Sequence, residues 1–349
     1  MPVTSTLTQE VTKLQQKLDS VILPPELKQK IKEMITRLTR MAQYSGYTAE
    51  YEKTAQYISW ITALPWDKET QDKLDLDEAK KIFEKHHYGM DYVKERILEF
   101  LSIMSLTRDQ KEISRAPILC LVGLVGTGKT TFGPSLAEVM GRNYARIPFG
   151  GMGSARDLRG QSRLHPDSEP GLVIKALRRA GSKNPIILFD EIDRVTEAAR
   201  ADIMGVLVEL LDPEQNSQFT DHFIDYPFDL SNVLFLVTAN NTRHIATAVL
   251  DRLEVIQMPS YTDKEKIIIA KKYVLPETLK LSGLSSDNLD IDEDVWTKIV
   301  RPLGYDAGIR TLERTIKGIC QKIAKLIVEN KGKHFHLTID NIKKYLPDY

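Results

Sequence analysis

The chain has 349 residues, 42% hydrophobic and 28% charged, enough for two or three domains and a sizeable core. Lys+Arg and Asp+Glu both total 48, so the net charge is zero; this excludes a global pull toward nucleic acid or an anionic membrane, and no clear nucleic-acid patch stands out. No apolar run approaches membrane-spanning length, and the N-terminus MPVTSTLTQEVTKLQQ lacks the apolar stretch of a signal peptide, so a soluble cytoplasmic protein with no membrane partner is expected.

Residues 8–43 read as helix. Val11, Leu14, Leu18, Val21 and Ile22 recur at helical spacing, Pro24 and Pro25 interrupt, and Leu27, Ile31, Met34, Ile35, Leu38 and Met41 resume the pattern. SGYTAEYEKTAQYISWITALPW contains a further helix ending at Pro65-Trp66, and another runs through Val93, Ile97, Phe100 and Leu101. The apolar stripes of this arm are expected to pack on one another or on the next domain; a coiled-coil contact with another subunit is the alternative. From residue 117 the pattern changes. PILCLVG, NYARIPF, PIILFDE, VLFLVTAN and LEVIQM are short apolar strands with helical segments between most of them. That alternation implies a parallel sheet covered on both faces. After Pro259 the chain returns to helices, with a strand-like HFHLTI near the end. The expected organisation is an N-terminal helical arm over 1–80, an α/β nucleotide-binding domain over 81–258 and a small helical domain over 259–349. Cys120 lies in the apolar run ILCLVG and reads as a buried core thiol; with Cys320 far away, no disulfide framework or metal spacing is visible.

The strongest motif is GLVGTGKT at 123–130, which fits the phosphate loop G-x-x-x-x-G-K-[ST]. Such a loop serves kinases, switches and motors alike. Gly123, Gly126 and Gly128 let backbone N–H groups turn toward anionic oxygens, with Thr127 between them, and a helix from about Thr130 with Thr131 in its first turn adds positive potential. Lys129 can reach the β- and γ-phosphates of ATP, and the Thr130 hydroxyl can ligate Mg²⁺. PIILFDEID then delivers Asp190 and Glu191 to a strand's carboxyl end, where open α/β sheets bind ligands. Asp190 is expected to hold Mg²⁺ and Glu191 to activate or orient the attacking water, which favours hydrolysis over transfer to a small molecule. Asn240 ends the strand VLFLVTAN and can hold that water. Arg252, in VLDRLEVI, reads either as a paired structural arginine or as a side chain reaching a neighbouring subunit's γ-phosphate. Arg310 opens a helix in YDAGIRTLER and can reach nucleotide across a domain cleft.

From about residue 24 to 349 the chain resembles the ATPase module of Lon proteases, members of the AAA+ group. The matching stretches are YISWITALPW, HHYGMDYVKERILEFL, GTGKT, LFDEID, ELLDPEQNSQFTDHFIDYPFDLSNVLFLVTAN, LDRLEVIQMPSYT and DAGIRTLER. LDPEQN and the segment after it are the most specific. The resemblance implies a P-loop AAA+ fold with a small helical lid, Mg-dependent ATP hydrolysis, and roles of sensor 1 for Asn240, arginine finger for Arg252 and sensor 2 for Arg310, with Tyr88 lining the adenine pocket. It implies a homo-oligomeric ring, usually a hexamer, that threads protein substrates and feeds a serine–lysine peptidase. The chain ends at KKYLPDY, where the family's peptidase domain would begin, so no peptidase active site is expected in these residues, and the chain reads either as an excised module or as an ATPase-only relative served by a separate peptidase subunit. There are further departures. His165 and Pro166 stand where the first pore loop carries an aromatic–aliphatic pair, with Asp167 and Glu169 beside them. Arg200-Ala201-Asp202-Ile203-Met204 replaces the second pore loop RGDPA, and Leu124-Val125 replaces two prolines in the phosphate loop. The altered first loop leaves two readings: an unfoldase or translocase, or a nucleotide-driven switch acting on one partner without threading.

Overall fold

The computed structural model describes residues 3–44, 48–107, 117–302, 304 and 306–347. Three helices open the chain, α1 (Val3–Ser20), α2 (Pro25–Tyr44) and α3 (Ala49–Ala63). They pack on one another through the predicted stripes: Leu14, Leu18, Leu27, Ile31, Ile35 and Leu38 are all buried. Pro24-Pro25 breaks the run because proline lacks the N–H a helix interior needs, and Pro25 is accepted as the first residue of α2. Thr48 caps α3 by accepting from the Tyr51 N–H at 3.1 Å. Helix α3 in turn lies on the next domain. The Tyr57 hydroxyl donates to the Ile224 carbonyl at 3.0 Å, and the Trp66 ring packs 4.9 Å from Phe228.

Helices α4 (Leu76–His86) and α5 (Asp91–Thr107) lead to the sheet. Its elements are β1 (Ile118–Val122), α6 (Phe132–Met140), β2 (Tyr144–Pro148), α7 (Arg156–Arg159), α8 (Leu172–Ala180), β3 (Ile186–Asp190), α9 (Arg200–Leu210), a small antiparallel pair β4 (Phe219–Thr220) and β5 (Pro227–Phe228), then β6 (Leu234–Ala239), α10 (Thr247–Leu250) and β7 (Leu253–Gln257). The five long strands are parallel in the order β2-β3-β6-β1-β7. Strands β3 and β6 are buried at every residue, which is why they read as continuous apolar runs. The two sheet faces belong to separate apolar clusters. One joins α1–α3, α8 and α9 through Phe149, Phe189 and Phe235; the other joins α4, α5, α6 and the C-terminal helices.

The last part comprises α11 (Asp263–Ile269), α12 (Leu275–Leu281), β8 (Leu289–Ile291), α13 (Trp296–Val300), α14 (Arg310–Val328), β9 (Phe335–Leu337) and α15 (Ile342–Tyr345). Thr262 and Glu265 close a capping box at the start of α11. A π-helical turn, Ala270–Val274, joins α11 to α12 just ahead of Pro276, whose missing N–H cannot sustain the regular ladder. Helix α14 buries Leu312, Ile316, Ile319, Cys320 and Ile323, a stripe at helical spacing.

The α/β AAA+ architecture, the helical arm and the helical lid are as the sequence implies. The differences are local. α1 begins at Val3, ahead of residue 8. The short pairs β4–β5 and β8–β9 were not foreseen, because strands of two or three residues leave no periodic signal. The segment aligned with the second pore loop is the first turn of α9, with Ile203 and Met204 buried; it lacks the Pro and Gly that would hold it as a loop. Cys120 and Cys320 are both buried, and burial pushes their thiols up to about 12 and about 11. Among the described residues, no helix is long and apolar enough to cross a membrane.

Candidate active site

The sheet order creates the site. β1, β6 and β3 are neighbours, so their carboxyl ends stand side by side about 4.8 Å apart. The phosphate loop leaves β1, Asn240 follows β6, and Asp190 and Glu191 end β3. Ligands of open α/β sheets sit at this edge.

The loop begins at Gly123, and Gly126 and Gly128 take left-handed backbone angles, φ 82° and 89°. A 3₁₀ turn, Lys129–Thr131, precedes α6, so the α-helix starts at Phe132 and not near Thr130. Lys129 is buried. Its Nζ donates to the Gly123 carbonyl at 2.7 Å, the Leu124 carbonyl at 2.9 Å and Asn240 Oδ1 at 3.1 Å. Burial pulls its ammonium below the usual lysine range, while Glu191, Asp193 and Asp190 oppose that shift. Thr127 is buried with its hydroxyl on the Leu124 carbonyl at 2.9 Å, and Thr131 donates to the Gly128 carbonyl at 2.6 Å.

Asp190 is 2% exposed and accepts from Thr130 Oγ1 at 3.0 Å, Thr238 Oγ1 at 2.6 Å and Arg146 Nε at 2.8 Å. Glu191 takes the left-handed conformation, φ 58° and ψ 52°, a strained geometry for a residue with a Cβ. Its N–H donates to Thr238 Oγ1 at 2.9 Å, which holds the strain in place. The Glu191 side chain lines a cleft with Gly126, Gly128, Lys129, Thr130, Thr131, Arg310 and Glu313. Glu313 has its carboxyl pushed up by burial, with Arg310 opposing.

The lid closes this cleft from above. The Ile309 N–H donates to the Gly126 carbonyl at 3.0 Å. A Cβ on Gly308 would stand 2.5 Å from the Val125 oxygen and from Gly126 C, so only glycine permits the approach. That contact places Arg310, the first residue of α14, over the loop.

Two expected residues lie elsewhere. Arg252 precedes β7, whose Leu253 pairs with Ile118, so it stands at the amino ends of the strands. A five-residue strand separates it from the phosphate loop, about 16 Å. It donates to the Ala248 carbonyl at 2.6 Å and to Asp212 Oδ2 at 2.9 Å, and this bond holds the Asp212 carboxyl below its usual range. Tyr88 stands between α4 and α5, half-buried against the lid-side cluster and outside the cleft lining. Its neighbour His87 stacks on Phe132 at 3.8 Å between ring centroids and hydrogen-bonds Ser135 Oγ at 2.8 Å.

Three residues of the site were missed in the sequence. Asp193 is buried and accepts from the Asn240 N–H at 3.0 Å and the Asn241 N–H at 3.4 Å, fixing the end of β6. Thr238 bridges Asp190 and Glu191. Arg146 pairs with Asp190. Asp193 and Thr238 lie inside the strings DEID and LVTAN, yet a string does not reveal which carboxylate a hydroxyl will meet across a sheet.

The arrangement fits a magnesium nucleotide. Asn240 Nδ2 is a buried donor with no partner among the described residues, beside a lysine and two positive-φ glycines suited to an anion. Thr130 and Asp190 offer hard oxygen donors 3.0 Å apart, the kind of sparse oxygen set Mg²⁺ takes while keeping waters.

Comparison with known proteins agrees with this geometry. Residues 119–261 match the family model of the ATPase family associated with various cellular activities (AAA), and residues 280–335 match that of the Lon protease AAA+ ATPase lid domain. The chain is 42% identical over 338 residues to Lon protease of Lawsonia intracellularis, covering 97% of this chain and 40% of that protein. It is 41% identical over 330 residues to Lon protease of Halothermothrix orenii, covering 95% and 41%. It is 39% identical over 346 residues to Lon protease 2 of Thermus thermophilus, covering 97% and 43%. The chain thus spans about two fifths of the length of these relatives. A phosphate loop, a strand-end Asp-Glu pair, a lid docked on the loop and these matches together assign the chain to the Lon protease family, of which it carries the AAA+ ATPase and lid portion.

Proposed function

We propose that the chain is a Mg-dependent ATPase that works in a homo-oligomeric ring to remodel or translocate protein substrates, as the motor part of a Lon-type system whose peptidase lies outside these residues. We take it as a helical arm over 1–80, a nucleotide-binding domain over 81–258 and a lid over 259–349. The carrying observation is the shared cleft of Lys129, Thr130, Glu191 and Arg310, with Asn240 bonded through Oδ1 to Lys129 and its Nδ2 buried without a partner among the described residues.

The chemistry follows from that geometry. Lys129 exchanges its two loop carbonyls for β- and γ-phosphate oxygens, which are stronger acceptors for an ammonium. Thr130 and Asp190 would hold magnesium, which when bound would supply charge neutralisation at the phosphates. Glu191 orients the attacking water and takes its proton, and Asn240 Nδ2 donates to the same water. Arg310 contacts the γ-phosphate from the lid, so hydrolysis loosens one tie between lid and loop. Arg252 is out of reach of its own loop; it completes the site of a neighbouring subunit, released from Asp212 or carried there with it. Tyr88 contributes to the adenine pocket. The cytoplasm is the expected compartment.

A specific observation favours the switch reading as the alternative. The loop at 161–169 presents polar His165, Asp167 and Glu169 and the small ring of Pro166 to solvent, with Leu164 its one large exposed apolar side chain. Grip on an extended polypeptide needs apolar and aromatic surface. Steady-state ATP hydrolysis measured against protein concentration, with and without casein, tests both readings. Specific activity rising with concentration and stimulated by casein is the expected result. Turnover without stimulation, unchanged in His165→Tyr/Pro166→Ile, selects the switch. Constant specific activity across all concentrations removes the ring.

A further inference from the structure

The hydrogen-bonding capacity of Asp190 is filled from within the chain. Oδ1 accepts from Thr130 and Thr238, and Oδ2 accepts from Arg146 Nε at 2.8 Å and lies 2.5 Å from Arg146 Nη2. Arg146 comes from β2, where it pairs in register with Leu188, two residues before Asp190, so its side chain runs along the strand ends toward the carboxylate. The two partners differ in freedom. The Asp190 side chain is 2% exposed, while that of Arg146 is 51% exposed and can swing into water.

The surrounding charges sharpen the point. Asp190, Glu191 and Asp193 all act on Lys129, so three carboxylates crowd this edge. Asp193 is held by the Asn240 and Asn241 amides, and Glu191 has Arg194 at 3.7 Å. Arg146 makes the one ion pair of Asp190 among the described residues. A buried carboxylate without a counter-charge is costly, and a guanidinium is a suitable partner because it tolerates partial exposure.

We propose that Arg146 is a removable counter-ion, a positioning residue that holds Asp190 before the cation arrives and competes with Mg²⁺ for it. This inference rests on the cleft being a magnesium nucleotide site. A divalent cation placed at Thr130 and Asp190 repels the guanidinium, and the exposed arginine withdraws. The consequence carries two opposite signs. Without Arg146 the edge becomes more negative, so a divalent cation binds more tightly and metal-free ATP, itself highly anionic, binds more weakly. An arginine that merely supports the fold would weaken both together.

The test compares wild type with Arg146→Met, Arg146→Gln and Arg146→Lys in the full chain. A fluorescent ATP analogue is titrated in EDTA and across a Mg²⁺ series, and bound Mn²⁺ is counted by electron paramagnetic resonance. For the two neutral variants the cation concentration at half-maximal nucleotide affinity should fall on the order of threefold to tenfold, with a comparable loss of metal-free affinity. Arg146→Lys, which keeps the charge without the fork, should lie nearer wild type. An unchanged cation requirement in variants that bind nucleotide overturns the proposal, as do two affinities that fall together. If neither neutral variant folds while Arg146→Lys does, the arginine is structural and the proposal fails. A wild type that binds no nucleotide under either condition overturns the reading of the cleft and this inference with it.

Discussion

Thr238 is the residue on which the catalytic edge turns, and Thr238→Val isolates its hydroxyl. The side chain is fully buried, and valine fills nearly the same volume, so no cavity opens. Two hydrogen bonds are lost. The bond to Asp190 Oδ1, 2.6 Å long and to a charged acceptor, is worth about 1.5–3 kcal/mol. The Glu191 N–H, 2.9 Å from the hydroxyl, loses its acceptor, and an unsatisfied donor of this kind costs about 1–3 kcal/mol. Because the two share one oxygen they will not add fully, and about 2–4 kcal/mol is expected. For a chain of 349 residues that corresponds to a melting shift of about 3–5 °C. The left-handed turn at Glu191 also loses its tether, so kcat should fall at least about tenfold while nucleotide affinity, held by the loop, changes little. Thr238→Ser keeps the hydroxyl and should recover most of both losses. Calorimetry and ATPase assays on the pair decide the matter: a valine variant that melts within a degree of wild type and turns over normally would refute the bridging role.

Glu191→Gln should bind ATP normally and hydrolyse it about 10²–10⁴-fold more slowly, as single-turnover assays would show; wild-type turnover removes the proposed base. Arg252→Ala and Lys129→Ala should each be inactive yet recover part of the turnover when mixed, because an intact arginine from one subunit meets an intact loop on another. No recovery at any ratio, in rings shown to exchange subunits, would assign Arg252 a structural role with Asp212. His87 has its imidazole pushed down to about 4 from 6.5, chiefly by burial and then by His86 and Lys94. Its folded pKa is depressed, so its contribution is fully present above pH 6.5 and is lost as pH falls toward 4, a total of about 3 kcal/mol. Thermal melts of His87→Phe should show a shallower pH dependence than wild type across that window; equal slopes would place the acid sensitivity elsewhere.

Much of this protein is legible along the chain. Continuous apolar runs such as ILCLV, IILFD and LFLVTA mark the central strands, because a parallel strand buried on both faces leaves no alternation. The order strand, Gly-rich loop, helix specifies an anion cradle from local backbone chemistry alone, so Lys129, Thr130, Asp190 and Glu191 could be named without coordinates. The helices of the arm and lid follow from 3.6-residue periodicity for the same local reason. What the tertiary structure decided is which distant residues meet. The insertion of β6 between β3 and β1 sets Asn240 between the loop and the acid pair, and puts Thr238 against Asp190 at a separation of 48 residues. The absence of a Cβ at Gly308 lets the lid reach Gly126 and carries Arg310 over the loop. The parallel register of β7 holds Arg252 at the far end of the sheet, and β2 at the edge brings Arg146 to the buried carboxylate. These pairings depend on strand order and close approach, which arise only when the sheet assembles and leave no periodic trace in the chain.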